Sequence, residues 1–156
     1  MYEAYTRQSL PSKKYRELLG SALCVFNSNN SFMIENIIRI DSANDWYELI
    51  DKVSGKLRDK ISTTISINSG NTDIEDLFME IVEMRNRIIH SFQITSPSGE
   101  QVLATKTSKK DGNIQFEITE TYLMEFIKKN EELSTLLHSY RGFDAKLENP
   151  KSPSHF

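Results

Sequence analysis

The sequence predicts a mainly α-helical protein of about four helices, with a β-hairpin inserted between the last two helices. Three observations support this prediction. Apolar residues recur at three-, four- and seven-residue steps in four separate segments, which is the spacing of one face of an α-helix. Between residues 113 and 119 the spacing changes to strict alternation, which is typical of a half-buried strand. Asp111-Gly112 precedes this stretch, and that dipeptide favours the positive φ angles of a tight hairpin turn.

The first helix is predicted to begin near Ser12 and to continue to about residue 40. Its apolar face consists of Tyr15, Leu18, Leu19, Ala22, Leu23, Phe26, Met33, Ile37 and Ile40. A continuous helix places Asn29 and Asn30 on this inward face, where polar residues run against the pattern. Two interpretations stay open: a turn at residues 28–31, or a continuous helix whose asparagines line a polar cavity, which is then a candidate to receive Arg85 of the third helix.

A second helix is predicted from residue 41 to about residue 60, because Asp41 and Ser42 favour a helix start and apolar residues follow at helical spacing. Residues 61–71 are rich in Ser, Thr and Asn, and they are predicted to form a connector. Three isoleucines are expected to hold this connector against the helices: Ile61, Ile65 and Ile67.

The third helix is predicted over residues 72–92. Thr72 and Glu75 have the spacing of a capping box, in which each side chain accepts a hydrogen bond from the other residue's free backbone amide. The apolar face of this helix consists of Ile74, Leu77, Phe78, Ile81, Ile88 and Phe92. The end of the helix carries the candidate functional residues of the chain.

A β-hairpin is predicted at about residues 100–119, after a turn at 97–99. Its strands are expected at Gln101–Thr107 and Asn113–Thr119. A last helix is predicted over about residues 120–140, and Gly142 is suited to end it.

His138 lies off the apolar face of the last helix and is expected to be exposed. Residues 143–156 contain two prolines and little apolar content, so they are predicted to form a flexible tail. The single predicted domain therefore spans residues 1–142.

Composition excludes several classes of protein. The net charge is -3, so no overall basic field attracts nucleic acid, and an RNA-binding role requires a local patch.

The one cysteine, Cys24, excludes an internal disulfide and a zinc site built from cysteines, and it is expected in the core. No stretch approaches the roughly 18 apolar residues of a membrane span, and the N-terminus lacks a signal-peptide apolar region, so we expect a cytoplasmic protein. The apolar fraction is only 38%, which indicates a core completed across a dimer interface.

Arg85 interrupts the apolar face of the third helix, because it lies roughly 40° from Ile81 around the helix axis. A guanidinium stays charged and is costly to bury alone, so we expect a carboxylate, a wet cleft or a ligand phosphate beside it. Glu35 is the carboxylate that we expect first. Asn86 and His90 are four residues apart and share one edge of the helix. Arg85 and His90 are five apart, and an ideal helix separates them by about 140°.

Arg85, Asn86 and His90 form the pattern Arg-Asn-x3-His, which resembles the signature of the HEPN ribonuclease superfamily (higher eukaryotes and prokaryotes nucleotide-binding domain). That signature is an arginine, four to six residues and a histidine, commonly with Asn, Asp or His directly after the arginine. The resemblance implies a HEPN-like up-and-down helical bundle, usually dimeric, with the motif late in a central helix. It also implies a metal-independent endoribonuclease that needs no cofactor and serves in a toxin–antitoxin or phage-defence setting.

The resemblance implies roles for these residues. An RNA 2′-hydroxyl attacks the adjacent phosphate and expels the 5′-oxygen, with His90 as the acid and base, because imidazole exchanges protons readily near neutral pH. Arg85 would stabilise the phosphoryl oxygens, and Asn86 would orient the imidazole or the phosphate. A homodimer with a composite cleft would supply a second histidine and relieve the separation between Arg85 and His90. An antitoxin or a regulatory protein is a further implied partner.

Five further residues are predicted to contact RNA. Arg87 and Ser91 are four apart on another edge of the helix and are candidates for contacts with the RNA backbone. Asn30 is a candidate if the first helix is continuous. Lys109 and Lys110 lie at the hairpin tip, which is either a solvated turn or a basic finger beside the active site that holds phosphates.

Two other functions stay open. The first is a HEPN-like module that binds a nucleotide, RNA or a protein partner without cleavage. The second is a structural or partner-binding helical protein, in which a carboxylate neutralises Arg85 and His90 faces solvent. A metal enzyme is not expected, because the sequence has no His-x3-His pair and no carboxylate–histidine cluster at ligand spacing.

Overall fold

The structure is a computed structural model that describes residues 1–52 and 54–142. This part of the chain is mainly helical and contains a small three-stranded antiparallel sheet, so the predicted mainly α class with a hairpin before the last helix is confirmed. No helix within these ranges combines the length and the apolar character that a membrane span requires. The predicted tail at 143–156 lies outside the described residues.

The helices and strands follow one another in this order along the described chain. The α-helices are α1 (Lys13–Ile40), α2 (Trp46–Asp51), α3 (Arg58–Ile61), α4 (Ile67–Ser69), α5 (Asp73–Ile89) and α6 (Glu120–Arg141). Short 3-10 helices lie at Tyr2–Tyr5 and Ser54–Leu57, and a π-helical turn at Ser62–Ser66 joins α3 to α4. The strands are β1 (Phe92–Thr95), β2 (Gln101–Lys106) and β3 (Gln115–Ile118), in the order β1-β2-β3.

The core lies between the three long helices. α1 and α5 both pack against α6. Phe26 of α1 lies between Phe78 of α5 and Phe126 of α6, with ring centroids 6.4 Å and 6.2 Å apart. These three rings are at most 1% exposed, and burial of such large apolar groups is the main force that holds the helices together.

α1 is continuous from Lys13 to Ile40, so the predicted alternative of a turn at residues 28–31 is wrong. The Ser12 hydroxyl caps the helix by accepting a hydrogen bond from the Tyr15 backbone amide at 3.2 Å. Asn29 is tolerated in mid-helix because its Nδ2 donates to the Asn130 carbonyl oxygen of α6 at 2.8 Å.

The predicted second helix over residues 41–60 is wrong at its start and in its middle. Asp41 ends α1, since its backbone amide donates to the Ile37 carbonyl, and Asp45 caps α2 instead by accepting from the Glu48 amide at 3.0 Å. α2 ends at Asp51, because Lys52 is extended. The chain resumes as a 3-10 helix that contains Gly55, a weak helix former.

The predicted connector at residues 61–71 is helical up to Gly70, which ends it with a φ of 75°. Its threonines bond back to helix carbonyls and so do not break the helix; Thr64 Oγ1 donates to the Lys60 carbonyl at 2.5 Å. Ile61 and Ile65 are buried as predicted. Ile67 is 73% exposed, so its predicted role in holding the connector is wrong.

The capping box predicted at the start of α5 does not form. The Thr72 hydroxyl donates to the Asp76 carboxylate at 2.8 Å, and Asn71 Oδ1 accepts from the Asp73 amide at 3.1 Å. The Glu75 side chain is instead buried, and it accepts a hydrogen bond from Arg58 Nε. α5 ends at Ile89, so the predicted helix end at residue 92 is also wrong.

The sheet contains the two predicted strands and one strand that the sequence did not indicate. β1 at Phe92–Thr95 pairs with β2, and Leu103 of β2 pairs with Ile118 of β3. The predicted helix takes in Phe92, the first residue of β1, because Phe92 continues its apolar spacing, and residues 93–95 belong to no predicted element. Tyr15 holds the sheet to α1, since its hydroxyl donates to the Ile118 carbonyl at 2.5 Å and accepts from the Leu103 amide at 3.2 Å.

α6 begins and ends close to its predicted bounds, with Gly142 as its left-handed C-cap at φ 80°. His138 was expected to be exposed but is half-buried, because its ring packs 4.9 Å from the Phe32 ring and its Nδ1 lies 2.7 Å from the Ser134 carbonyl. Cys24 is exposed, so its predicted place in the core is wrong. It lies about 200° around the helix axis from Phe26, which faces the core.

Candidate functional site

Arg85 lies half-buried on α5, in the last turns before the helix ends. The centre of its guanidinium lies 5.4 Å from the centroid of the Phe26 ring, which is a cation–π contact. Its Nη1 lies 3.5 Å from Asn86 Oδ1, at the outer limit of a hydrogen bond. Phe26 and Asn86 are both uncharged, so neither contact neutralises the arginine.

No carboxylate of residues 1–52 or 54–142 lies within ion-pair distance of Arg85. Glu35, the carboxylate that the sequence pointed to first, is exposed on α1 and forms no ion pair. The prediction of Glu35 as the partner is therefore wrong. α2 ends at Asp51, and Asp51, Lys52 and Ser54 line a cleft beside the guanidinium.

Arg85 borders an open cavity of about 470 Å³ between α1, α2 and α5. The other lining residues are Phe26, Asn27, Asn30, Ile50, Asp51, Lys52 and Ser54. A charged side chain that opens onto a polar cavity keeps contact with water, which lowers the cost of its partial burial. The sequence predicts a carboxylate, a wet cleft or a ligand phosphate beside this arginine. The open cavity corresponds to the wet cleft.

Asn30 is the buried polar residue of this cavity. Asn30 is only 8% exposed, and its Oδ1 is buried without a hydrogen-bond partner in the described chain. Asn29, its neighbour in sequence, faces away from this cavity and bonds Asn130 on α6. The predicted polar cavity shared with Arg85 therefore involves Asn30 and not Asn29.

His90 is the residue that ends α5. Its backbone amide donates to the Asn86 carbonyl at 3.0 Å, and its side chain is exposed. It does not line the cavity beside Arg85, as the predicted separation around the helix requires. Within one chain, Arg85 lies beside Asn86 and shares the cavity with Asn30, whereas His90 is exposed and lies outside that cavity.

Arg87 and Ser91 are already used in internal hydrogen bonds. Arg87 Nη2 and Nε donate to Glu83 Oε1 at 2.6 Å and 2.9 Å, and its Nη1 donates to the Lys106 carbonyl at 2.6 Å. Ser91 Oγ donates to the Ile88 carbonyl at 2.6 Å. Both residues therefore hold the end of α5 in place, and contact with an RNA backbone would compete with these bonds.

The Arg87–Lys106 bond holds the last residue of β2, where the hairpin turn begins, beside the end of α5. Lys109 and Lys110 lie in the turn between β2 and β3, and both side chains are exposed and unpaired among the described residues. Neither lysine lines the Arg85 cavity. Their contact with RNA phosphates stays a prediction.

A second charged group of α5 was misread in the sequence. Glu75 is 5% exposed and accepts hydrogen bonds from Arg58 Nε at 3.1 Å and from Ser66 Oγ at 2.9 Å. The Ser62 hydroxyl contributes most to holding the pKa of this carboxyl below its ordinary value; Arg58 and Ser66 lower it as well, and together they outweigh the opposing effect of burial. Glu75 therefore belongs to a saturated internal cluster.

Sequence reasoning also missed Asp51, Lys52 and Ser54 as cavity residues. They line the cavity because the chain is interrupted after α2, and the predicted helix across residues 41–60 concealed this break. A weak signal was available in Ser54 and Gly55, which are both poor helix formers in an otherwise helical pattern. Elsewhere in the described ranges, no group of three His, Cys, Asp or Glu side chains is arranged to hold a metal ion.

Comparison of the chain with protein-family models, with curated proteins and with solved structures gives no match in any of the three. The function is therefore inferred from two features of the residues themselves. They are the Arg-Asn-x3-His pattern at the end of α5 and the cavity that Arg85 borders.

Proposed function

We propose that this protein is a metal-independent endoribonuclease of HEPN type, which acts as a homodimer in a toxin–antitoxin or phage-defence setting. The observation that supports the proposal most is Arg85, a half-buried guanidinium with no carboxylate partner among the described residues and an open polar cavity beside it. A planar guanidinium binds a phosphate through two parallel, charge-assisted hydrogen bonds. Such a ligand would supply the negative charge that the chain itself does not provide.

The proposed reaction uses only side chains. One His90 imidazole takes the proton of an RNA 2′-hydroxyl as its oxygen attacks the adjacent phosphorus. The bond from phosphorus to the 5′-oxygen breaks, and a second, protonated imidazole donates a proton to that oxygen. The products are a 2′,3′-cyclic phosphate and a 5′-hydroxyl. Arg85 would stabilise the negative charge that develops on the phosphoryl oxygens.

A homodimer is part of the proposal, because one chain provides one His90 and places it outside the Arg85 cavity. Ile89 and Phe92 flank this histidine and are 45% and 44% exposed. Exposed apolar groups beside a functional residue favour coverage by another protein surface. A two-fold axis near the end of α5 would bring each His90 towards the Arg85 of the partner subunit.

The proposal is tested by incubating the purified protein and its His90→Ala variant with mixed RNA in excess EDTA. We expect the wild type to cleave the RNA and to leave cyclic phosphate ends. We expect the variant to lack this activity. His138→Gln is the matched control, since it removes an imidazole that lies on α6 and packs against Phe32. Cleavage that persists in His90→Ala, or that requires a metal ion, would contradict the proposal.

The second candidate is a HEPN-like module that binds a nucleotide or RNA without cleaving it. The observation that favours it is the exposed position of His90 away from the cavity within one chain. It predicts that wild-type protein retards RNA in a gel shift, that Arg85→Met weakens this binding, and that no RNA is cut at any protein concentration. Cleavage that rises with dimer formation would instead support the nuclease.

A further inference from the structure

We infer that the cavity beside Arg85 is a base-binding pocket, in which Asn30 hydrogen-bonds the edge of a nucleobase that carries an exocyclic amino group. The pocket would select the nucleotide attached to the phosphate that Arg85 binds. The inference deepens the proposed function, on which the assignment of the phosphate to Arg85 rests.

Asn30 carries the argument. It is 8% exposed, lines the cavity, and has an Oδ1 that is buried without a hydrogen-bond partner in the described chain. Buried polar atoms are nearly always paired, and an unpaired one destabilises a fold. Oδ1 itself has almost no accessible surface, but the Asn30 side chain lines the cavity and makes no hydrogen bond within the described chain, so a rotation of its amide would bring Oδ1 to a ligand that supplies the missing donor.

The two adjacent asparagines of α1 show that this feature is specific. Asn29 is buried to a similar degree, and its Nδ2 donates to both the backbone and the side-chain oxygen of Asn130 at 2.8 Å and 3.1 Å. Asn29 thus has an internal structural explanation. Asn30 has no such bond, although it lies on the same helix one position later.

The rest of the cavity matches a base. Its volume of about 470 Å³ lies within the roughly 300–1,000 Å³ of small-molecule sites, and Ile50 supplies an apolar wall. Asn30 and Asp51 both line the cavity, and each side chain carries an acceptor oxygen for a ligand. The exocyclic amino group of adenine, guanine or cytosine offers two hydrogens, one to each acceptor, whereas uracil offers a single N3–H between two carbonyl oxygens that the acceptors would repel.

The cations of the cavity complete a nucleotide site. Arg85 and Lys52 both line it, so a base held against Asn30 would have two positive side chains near its phosphate. Asp51 lines the same cavity without pairing with Arg85. Acceptors and cations are therefore both available to different parts of one nucleotide.

The test measures binding of the four ribonucleoside 3′-monophosphates to the full chain by calorimetry in EDTA. We expect wild type to bind the adenine, guanine and cytosine nucleotides about 5- to 150-fold more tightly than the uracil nucleotide. Asn30→Leu should abolish this preference and should leave the melting temperature unchanged or higher, because no internal hydrogen bond is lost. Asn29→Leu is the matched control, which should lower the melting temperature and keep the preference.

A base preference that survives Asn30→Leu would overturn the inference. So would a loss of melting temperature in Asn30→Leu as large as that of Asn29→Leu, because it would show that Asn30 is held by an internal bond. RNA cleavage without any binding of the nucleotides would overturn the pocket and leave the nuclease standing. Nucleotide binding that depends on Asn30, together with no RNA cleavage, would support the pocket and overturn the nuclease.

Discussion

Glu75 and Arg85 are two charged residues on the inward side of α5, about three turns apart, and their surroundings differ completely. Glu75 accepts hydrogen bonds from Arg58 and Ser66 and is almost fully buried. Arg85 contacts the Phe26 ring and the Asn86 side-chain amide, and it borders an open cavity. The comparison distinguishes a buried charge whose hydrogen bonds are made within its own chain from a partly buried charge that no partner neutralises, and only the second is available to a ligand.

The same contrast distinguishes the two arginines at the end of α5. Arg87 donates to Glu83 and to the Lys106 carbonyl, so its charge is neutralised and its position is fixed. Arg85, two positions earlier, has neither kind of partner among the described residues. If the contrast is meaningful, substitutions at paired charges should lower stability, and substitution of the unpaired charge should lower activity.

The largest effect is expected for Arg85→Met. The variant should lose roughly 10²- to 10³-fold in RNA cleavage, since it removes the donor to the phosphoryl oxygens. Its free energy of unfolding should change by less than about 1 kcal/mol, because only the cation–π contact with Phe26 and the long hydrogen bond to Asn86 are lost. Single-turnover cleavage and urea denaturation measure the two quantities. A strong loss of stability with unchanged cleavage would reverse the comparison.

Glu75→Ala is expected to show the opposite pattern. It leaves Ser66 and Arg58 without their acceptor, and it should lower the free energy of unfolding by about 1–3 kcal/mol. The expected loss stays below that of a fully buried ion pair, because the Arg58 side chain is 57% exposed and can turn to water. Urea denaturation measures it, and Glu83→Ala, on the exposed face, serves as the control. Equal losses in the two variants would show that burial of Glu75 is irrelevant.

The pH dependence of stability sharpens the same point. The pKa of Glu75 is held below its ordinary value of 4.5 by Ser62, Arg58 and Ser66. A lowered folded-state pKa stabilises the protein above the unfolded-state pKa, and this contribution is lost as the pH falls through the folded-state pKa. The difference in unfolding free energy between wild type and Glu75→Gln should therefore shrink from about pH 6 to about pH 3. A difference that is constant over this range would show that the charge of Glu75 contributes nothing.

The smallest effect is expected for Arg87→Met. Its pair with Glu83 is exposed, and its bond to the Lys106 carbonyl is one hydrogen bond to the sheet, so unfolding should become easier by about 1 kcal/mol. Cleavage of RNA should stay at the wild-type level. A loss of cleavage as large as that of Arg85→Met would show that the paired arginine also binds the substrate.

The fold was predictable where apolar spacing is long and regular. α1, the core of α5 and α6 follow from this spacing, and the hairpin turn follows from Asp111-Gly112. The break after α2 was not predictable in this way, because Leu49 and Leu57 are both buried and keep a helical interval across it. β1 was missed because Phe92 continues the apolar spacing of α5 into a strand.

The candidate site was predictable only in part. The position of Arg85 inside an apolar face indicated an unusual charge, and continuity of α1 placed Asn30 towards it. Glu75 was misassigned because its spacing from Thr72 satisfies a capping box, while its actual donors come from α3 and the π-helical turn, far from that pattern. Residues that meet only through tertiary packing leave no mark in local spacing.

The most direct test of the account mixes wild type with an equal amount of His90→Ala, lets the subunits exchange, and measures RNA cleavage in EDTA at a fixed total protein concentration. If each cleavage needs the His90 imidazoles of both subunits, only the one quarter of dimers that are purely wild type stay active, so cleavage should fall to about one quarter of the wild-type level. Centrifugation must show that both proteins dimerise. Cleavage that falls only to about one half would show that each subunit acts with its own His90, and it would contradict the composite site on which the account depends.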